Sequence, residues 1–179
     1  MMIFLIAVFT SSLNCVGPRH PAATVNITMQ VSAETTRVGS SSNRSERTPV
    51  DPNDLITFAQ TLKGVRYKYA SADPDKGFDC SGFVQYVFKH FHVNVPRSSS
   101  AFSKIGKKVP LDEARPGDII LFTGTNNSVR VVGHVGIVTG VGSTISFIHA
   151  TSGKAYSVIE TAMTPHYRKR FVKVVRVLE

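Results

Sequence analysis

The alternation of apolar and polar positions divides the 179-residue chain into three textures. A short apolar run, Ile3 to Phe9, opens it, a polar stretch without period follows, and from Asp51 the pattern becomes regular. There Asp51 reads as a helix cap with Pro52 at the first helical position. Leu55, Ile56, Ala59 and Leu62 recur at helical spacing, and Gly64 closes the helix. In "GFDCSGFVQYVFKHF", Phe83, Val84, Val87, Phe88 and Phe91 follow Cys80 as the apolar stripe of a second helix. "PRSSSAFSKIG" predicts a third, short helix. From Ile119 the texture changes: "DIILF", "HVGIVTG", "TISFIHA", "YSVIE" and "FVKVVRVL" are short, rich in Val and Ile, and broken by Gly and polar turns. Helices followed by consecutive strands predict an α+β domain built on an antiparallel sheet.

The first two textures organise the rest of the chain. "MMIFLIAVFTSSLNC" is too short to span a bilayer, which takes roughly 20 apolar residues, but suits the apolar region of an export signal. No Lys or Arg precedes it. A cysteine just after such a run resembles a bacterial lipoprotein cleavage site, with Cys15 as the lipid attachment point. Ser12, Leu13 and Asn14 fit only a loose form of that signal, and a plain secretory signal is the alternative. Residues 16–50 are rich in Ser, Thr, Pro and Gly and read as a flexible tether. The expected organisation is therefore a signal at 1–15, a tether at 16–50 and one folded domain at 51–179.

Composition changes this picture little. An apolar fraction of 42% and a charged fraction of 18% are ordinary for a globular protein. The formal charge of +9 favours acidic partners. With only Cys15 and Cys80, the chain is no disulfide scaffold.

Cys80 has two readings. Its place on the stripe favours a buried core thiol. Its place in the first helical turn, among the small or polar Asp79, Ser81 and Gly82, favours a nucleophile whose pKa the helix start depresses. A nucleophile needs a base and a group to orient that base. His20 falls in the tether, His90 and His92 at the far end of the same helix, and His166 in a basic segment. His134 and His149 remain, near the ends of consecutive strands. If "GVGS" (140–143) is the turn between them, the two are directly opposite on one face, with β-carbons about 5 Å apart. A slip of one residue would put them on opposite faces.

"FDCSGFVQYVF", "ARPGDIILF", "GHVGIVTG" and "FIHA", in that order, resemble the NlpC-type cysteine peptidases of bacterial cell walls, closest to the lipoprotein murein endopeptidases of the NlpC and Spr group. The resemblance implies a papain-like α+β fold with Cys80 as nucleophile, His134 as base and His149 as the orienting third member. It also implies Tyr67 near the thiol, and Asp79 and Ser81 in the substrate groove. The implied reaction is amide hydrolysis in a peptidoglycan stem peptide, with no cofactor and no metal. Stem peptides are the expected partner, the domain is expected to be a monomer, and the cell envelope its location, lipid-anchored to the outer membrane and facing the periplasm. Two departures from the family pattern concern the groove: Ala70 and Ser71 stand where two glycines are often found, and a glutamine is usual near the position of Phe102.

Other classes compete with this reading. An amidase or acyltransferase would use the same thiol on a different substrate. A zinc site from Cys80, His134 and His149 lacks the paired spacing of structural zinc sites. A catalytically silent wall-binding module would need a blocked groove. A nucleic-acid binder rests on charge alone, in "KIGKK" and "HYRKRFVKVVR".

Overall fold

The computed structural model describes residues 49–125 and 129–178. The expected signal, the tether up to residue 48 and Cys15 lie outside the described residues. Helix α1 (Pro52–Thr61) starts where the Asp51 side chain accepts the Asn53 N–H at 2.8 Å, and it buries Leu55, Ile56 and Ala59. A small hairpin, β1 (Ala72–Asp73) and β2 (Gly77–Phe78), leads into α2 (Cys80–His90). The expected third helix forms only as a 3₁₀ turn, Ser99–Lys104, which makes no side-chain cap. Serines at 98–100 compete for their own backbone groups and so weaken a longer helix. Strand β3 (Lys107–Val109) and a second 3₁₀ turn (Leu111–Glu113) follow.

The strands anticipated from Ile119 onward all form: β4 (Ile119–Thr123), β5 (Val132–Val141), β6 (Ile145–Ala150), β7 (Val158–Ala162) and β8 (Phe171–Arg176). Between β7 and β8 lies a helix that the pattern did not announce, α3 (Pro165–Arg170). Among the described residues the strands make one six-stranded antiparallel sheet in the order β3-β8-β4-β5-β6-β7.

Alternation along the strands gives the sheet two apolar faces. On one, Ile119, Leu121, Val135, Ile137 and Ile148 pack under Phe83, Val84, Val87 and Phe88 of α2 and Leu55 of α1. Each such side chain, fully buried, contributes about 1.5–3 kcal/mol. On the other, Ile120, Phe122, Val138, Phe147 and Val174 pack with Tyr167 of α3. Phe102 is fully buried in the first cluster, so the departure noted there belongs to the core and not to a groove. Among the described residues no helix is long and apolar enough to cross a membrane.

Two irregularities in β5 set the positions of its side chains. Gly133 is an extra residue against β4, since Phe122 pairs with His134 but Thr123 pairs with Val132. Thr139 is an extra residue against β6, since Val138 pairs with Phe147 but Gly140 pairs with Ser146. The turn is also longer than "GVGS", and Val141 pairs with Ile145. Ile137 therefore faces Ile148, so His149 lies across from Gly136 and not across from His134. The correction amounts to two residues, which preserves the face: the histidines are diagonal neighbours. Gly136 makes that diagonal usable. A β-carbon there would sit 2.9 Å from Phe147 Cδ2, 3.0 Å from the Ile148 carbonyl oxygen and 3.2 Å from His149 Cβ.

Gly136→Ala should accordingly destabilise the domain by about 1–3 kcal/mol. Thermal denaturation measures it; an unchanged midpoint would mean that this crossing is looser than its geometry.

Candidate active site

Helix α2 starts because Asp79 caps it, accepting the Gly82 N–H at 2.7 Å. Cys80 is then the first helical residue, and its own N–H has no acceptor within the helix. The same Asp79 carboxylate meets Arg97, through Nη1 at 2.9 Å and Nη2, and accepts the Ser81 hydroxyl at 3.1 Å. Arg97 Nη1 also donates to Ser81 Oγ at 3.1 Å. Asp79 and Ser81 are buried, yet they line a groove of about 490 Å³ together with Tyr67, Tyr69, Cys80 and Arg97.

A second cavity, of about 580 Å³, adjoins the thiol from the other side. Tyr67, Cys80, His134, Tyr167 and Arg170 are among its walls. The Cys80 thiol approaches the Gly133 carbonyl at 3.9 Å. His134 Nε2 lies 2.9 Å from His149 Nδ1, and the rings meet edge to face with centroids 4.9 Å apart. His149 is fully buried, and its Nε2 lies 3.4 Å from Tyr167 Oη. The structure thus brings Cys80, His134 and Tyr67 to one cavity, with His149 behind His134.

This order fixes the tautomers that proton transfer needs. With Nε2 of His134 engaged by His149, Nδ1 is the ring nitrogen left to take a proton. That requires Nε2–H of His134 to donate to His149 Nδ1. His149 then carries its hydrogen on Nε2 and donates it to the Tyr167 oxygen. The same mutual engagement argues against a zinc site, because the rings direct nitrogens at each other and not at a common point. Among the described residues no group of three or more His, Cys, Asp or Glu side chains could hold a metal ion.

Electrostatics makes the resting pair neutral. Burial, then the His149 and Arg170 charges, hold His134 well below the usual imidazole range. Burial and Arg170 push His149 down to about 4. The expected depressed thiol is not what the environment produces: burial pushes Cys80 up, and the Asp79 carboxylate adds to it. The backbone N–H groups of Val135, Ser81 and Cys80 itself act in the opposite direction without overcoming burial. The expectation rested on the helix start, whose N–H groups do not overcome burial, and a neutral His134 adds no positive charge beside the thiol. Burial, with the Cys80 and Asp79 charges, likewise raises Tyr67, so its phenol remains a donor.

Three neighbours of the site escaped the sequence reading. Arg97 lies in a loop with no periodic signal. Tyr167 and Arg170 stand on α3, whose Thr164–Pro165 start was a legible helix signal. Arg170 is buried, donating from Nε and Nη2 to the Thr123 carbonyl at 3.3 and 2.8 Å.

Comparison with known proteins places the fold in a family. The model of the NlpC/P60 family matches residues 64–176. A gamma-DL-glutamyl hydrolase of Bacillus subtilis (strain 168) is 29% identical over 123 residues, covering 69% of this chain and 29% of that protein. The murein DD-endopeptidase MepS/murein LD-carboxypeptidase of Escherichia coli (strain K12) is 36% identical over 117 residues, covering 65% of this chain and 57% of that protein. The chain thus spans less than two thirds of the length of both relatives. A crystal structure of an NlpC/P60 family protein from Bacillus cereus ATCC 10987 matches with a TM-score of 0.66 and 28% identity, over 74% of this chain and 42% of that one. The match of the family model extends from before Cys80 to beyond His149, and the chain belongs to the NlpC/P60 family.

Proposed function

We propose that the domain is a cysteine peptidase that hydrolyses an amide bond in peptidoglycan stem peptides or their cross-links. One observation carries this reading: the Cys80 thiol and a neutral His134, itself held by His149, wall the same cavity. The relative named as a murein endopeptidase supports the substrate class.

The chemistry follows from that arrangement. His134 Nδ1 takes the thiol proton as sulfur attacks the scissile carbonyl, so the charged pair arises only during reaction. The N–H of Cys80 at the helix start is available to the tetrahedral oxyanion. His134 returns its proton to the leaving amine, which departs and leaves a thioester on Cys80. Water, deprotonated by the same imidazole, adds to the thioester, and the thiol leaves with a proton. His149 keeps the His134 ring in the required tautomer, and Tyr67, Asp79 and Ser81 border the substrate's path. Upstream, Cys15 is the proposed lipid attachment point, with residues 16–50 a leash between the membrane and the wall.

Mass spectrometry of digested muropeptides should show cleavage by the wild type and none by Cys80→Ala. His134→Ala should lose about 10²-fold or more in turnover, and His149→Ala less, because orientation contributes less than proton transfer. Wild-type turnover in His134→Ala would sink the assignment.

The pH profile tests the neutral pair separately. Protonation of His134 removes the base, and its pKa lies below the usual value, so the acid limb of kcat/KM should fall below pH 6.5. Loss of the thiol proton sets the alkaline limb, above about pH 9 because burial raises that group. Alkylation of Cys80 by iodoacetamide should rise over the same alkaline range. An acid limb above 6.5 would contradict a buried neutral base.

Cys15→Ser should move the exported protein from the membrane to the soluble fraction and abolish metabolic labelling by a fatty acid. A wild type that is already soluble and unlabelled would leave a plain secretory signal in its place.

A further inference from the structure

The cavity of about 730 Å³ beside the candidate active site has an unusual electrostatic lining. Lys104 and Lys108 enter it from the 3₁₀ turn and β3, Lys173 from β8, and Arg130 from the segment before β5. No carboxylate is among its walls. Elsewhere among the described residues four cations meet acids: Arg97 with Asp79, Arg176 with Asp118, Lys76 with Asp73 and Lys63 with Glu160. None of those pairs includes any of the four cations here.

Two of the four are held in place. Lys173 Nζ donates to the Ser103 carbonyl at 2.7 Å, and the Arg130 guanidinium donates to the carbonyls of Lys169 and Phe171 at 3.3 and 3.0 Å. Like charges gathered into one concave space repel one another, and concave walls focus the resulting potential. A solvated basic face has no need of that convergence.

The position points to an occupant. Ser98 lines both this cavity and the groove at Cys80, and Val132, a wall of this cavity, directly precedes Gly133, a wall of that groove. A chain lying in the groove over Cys80 therefore has the basic cavity next to it, across Ser98. We propose that this cavity is an extended subsite for the carboxylate-bearing arm of the peptide whose amide Cys80 attacks, an inference that rests on the peptidase reading above. The chemistry is specific to peptides with several free carboxylates. A γ-glutamyl link is one source, since joining through the side-chain carboxyl leaves the α-carboxylate free.

The test measures binding apart from turnover. Two synthetic γ-glutamyl peptides, one with free carboxylates and one with each converted to carboxamide, are titrated against the full chain carrying Cys80→Ala. The carboxylate peptide should bind about tenfold more tightly at low ionic strength, and the preference should shrink in 0.5 M NaCl. Adding Lys104→Gln and Lys108→Gln, both exposed side chains, should reduce the preference by roughly threefold per charge. Equal affinity for the two peptides, or a preference that survives loss of both charges, overturns the subsite. Turnover by the wild type separates the two readings. Cleavage of both peptides with one KM leaves the peptidase and removes the subsite. A charge-dependent preference with neither peptide cleaved leaves an anion-binding groove and removes the peptidase.

Discussion

A thiol on one face of a sheet can meet a base on the other only where the sheet ends or its alternation breaks. That constraint governs the whole site. Cys80 packs with the α2 cluster, which includes Val132, Val135 and Ile137 of β5. His134 pairs with Phe122, and His149 shares its side of β6 with Phe147, both of the opposite cluster. With Val132 and Val135 both turned to α2, the extra residue Gly133 is what releases His134 to the far face. It does so where β4 and β5 cross closely: a β-carbon on Gly133 would lie 2.7 Å from Gly124 Cα. Bulges concentrate beside active sites because they re-aim a side chain in this way. Here the bulge is the place where the Cys80 thiol and the His134 ring share a cavity.

Charge is partitioned around the same passage. On the thiol side, the Asp79 carboxylate is satisfied three times over, by the helix start, Ser81 and Arg97. Burial keeps Cys80 protonated at rest, and the remaining field of Asp79 adds to it by opposing the thiolate. On the imidazole side stands a buried cation, Arg170, anchored on the Thr123 carbonyl and lying 5.9 Å from the centre of the Tyr167 ring. Its field opposes imidazolium at both histidines. The two environments push in the same sense, towards a neutral thiol facing a neutral base. In the proposed reaction, charge separation is thus deferred until a substrate carbonyl is there to accept electron density.

The sequence carried the elements with strong period and lost those without it. The stripe of α2 and the five strands from Ile119 were legible because burial imposes 3.6-residue and two-residue periods. The pairing of His134 with His149 came from an assumed turn and was two residues out, yet the face was right because a strand repeats every two residues. Thr139, the residue that shifts the register, looks like any other strand residue. Helix α3 is six residues long, too short to display a face, although Thr164 and Pro165 marked its start. With α3 went Tyr167 and Arg170, and so the charge that adds to burial in lowering the pKa of the histidines. Arg97 was out of reach because an ion pair between a loop and a helix cap leaves no local pattern.

The proton transfers proposed for the thiol and its two histidines would serve any acyl transfer and so do not select a substrate. Selectivity must come from the walls. Ala70, where the family resemblance expects glycine, takes a φ of 56° and borders the groove at Cys80. A left-handed alanine costs roughly 1–2 kcal/mol, so this loop is held by its surroundings against a local preference. Those surroundings are the groove's own: Asp79 N–H donates to the Ser71 carbonyl at 2.9 Å, and Gly82 passes so close that a β-carbon would overlap that carbonyl. The residue that caps the nucleophile's helix therefore also clamps the loop forming the groove's rim. The loop conformation and the position of Cys80 are thus tied through one residue, Asp79, by its N–H to the Ser71 carbonyl and by its carboxylate to the Gly82 N–H.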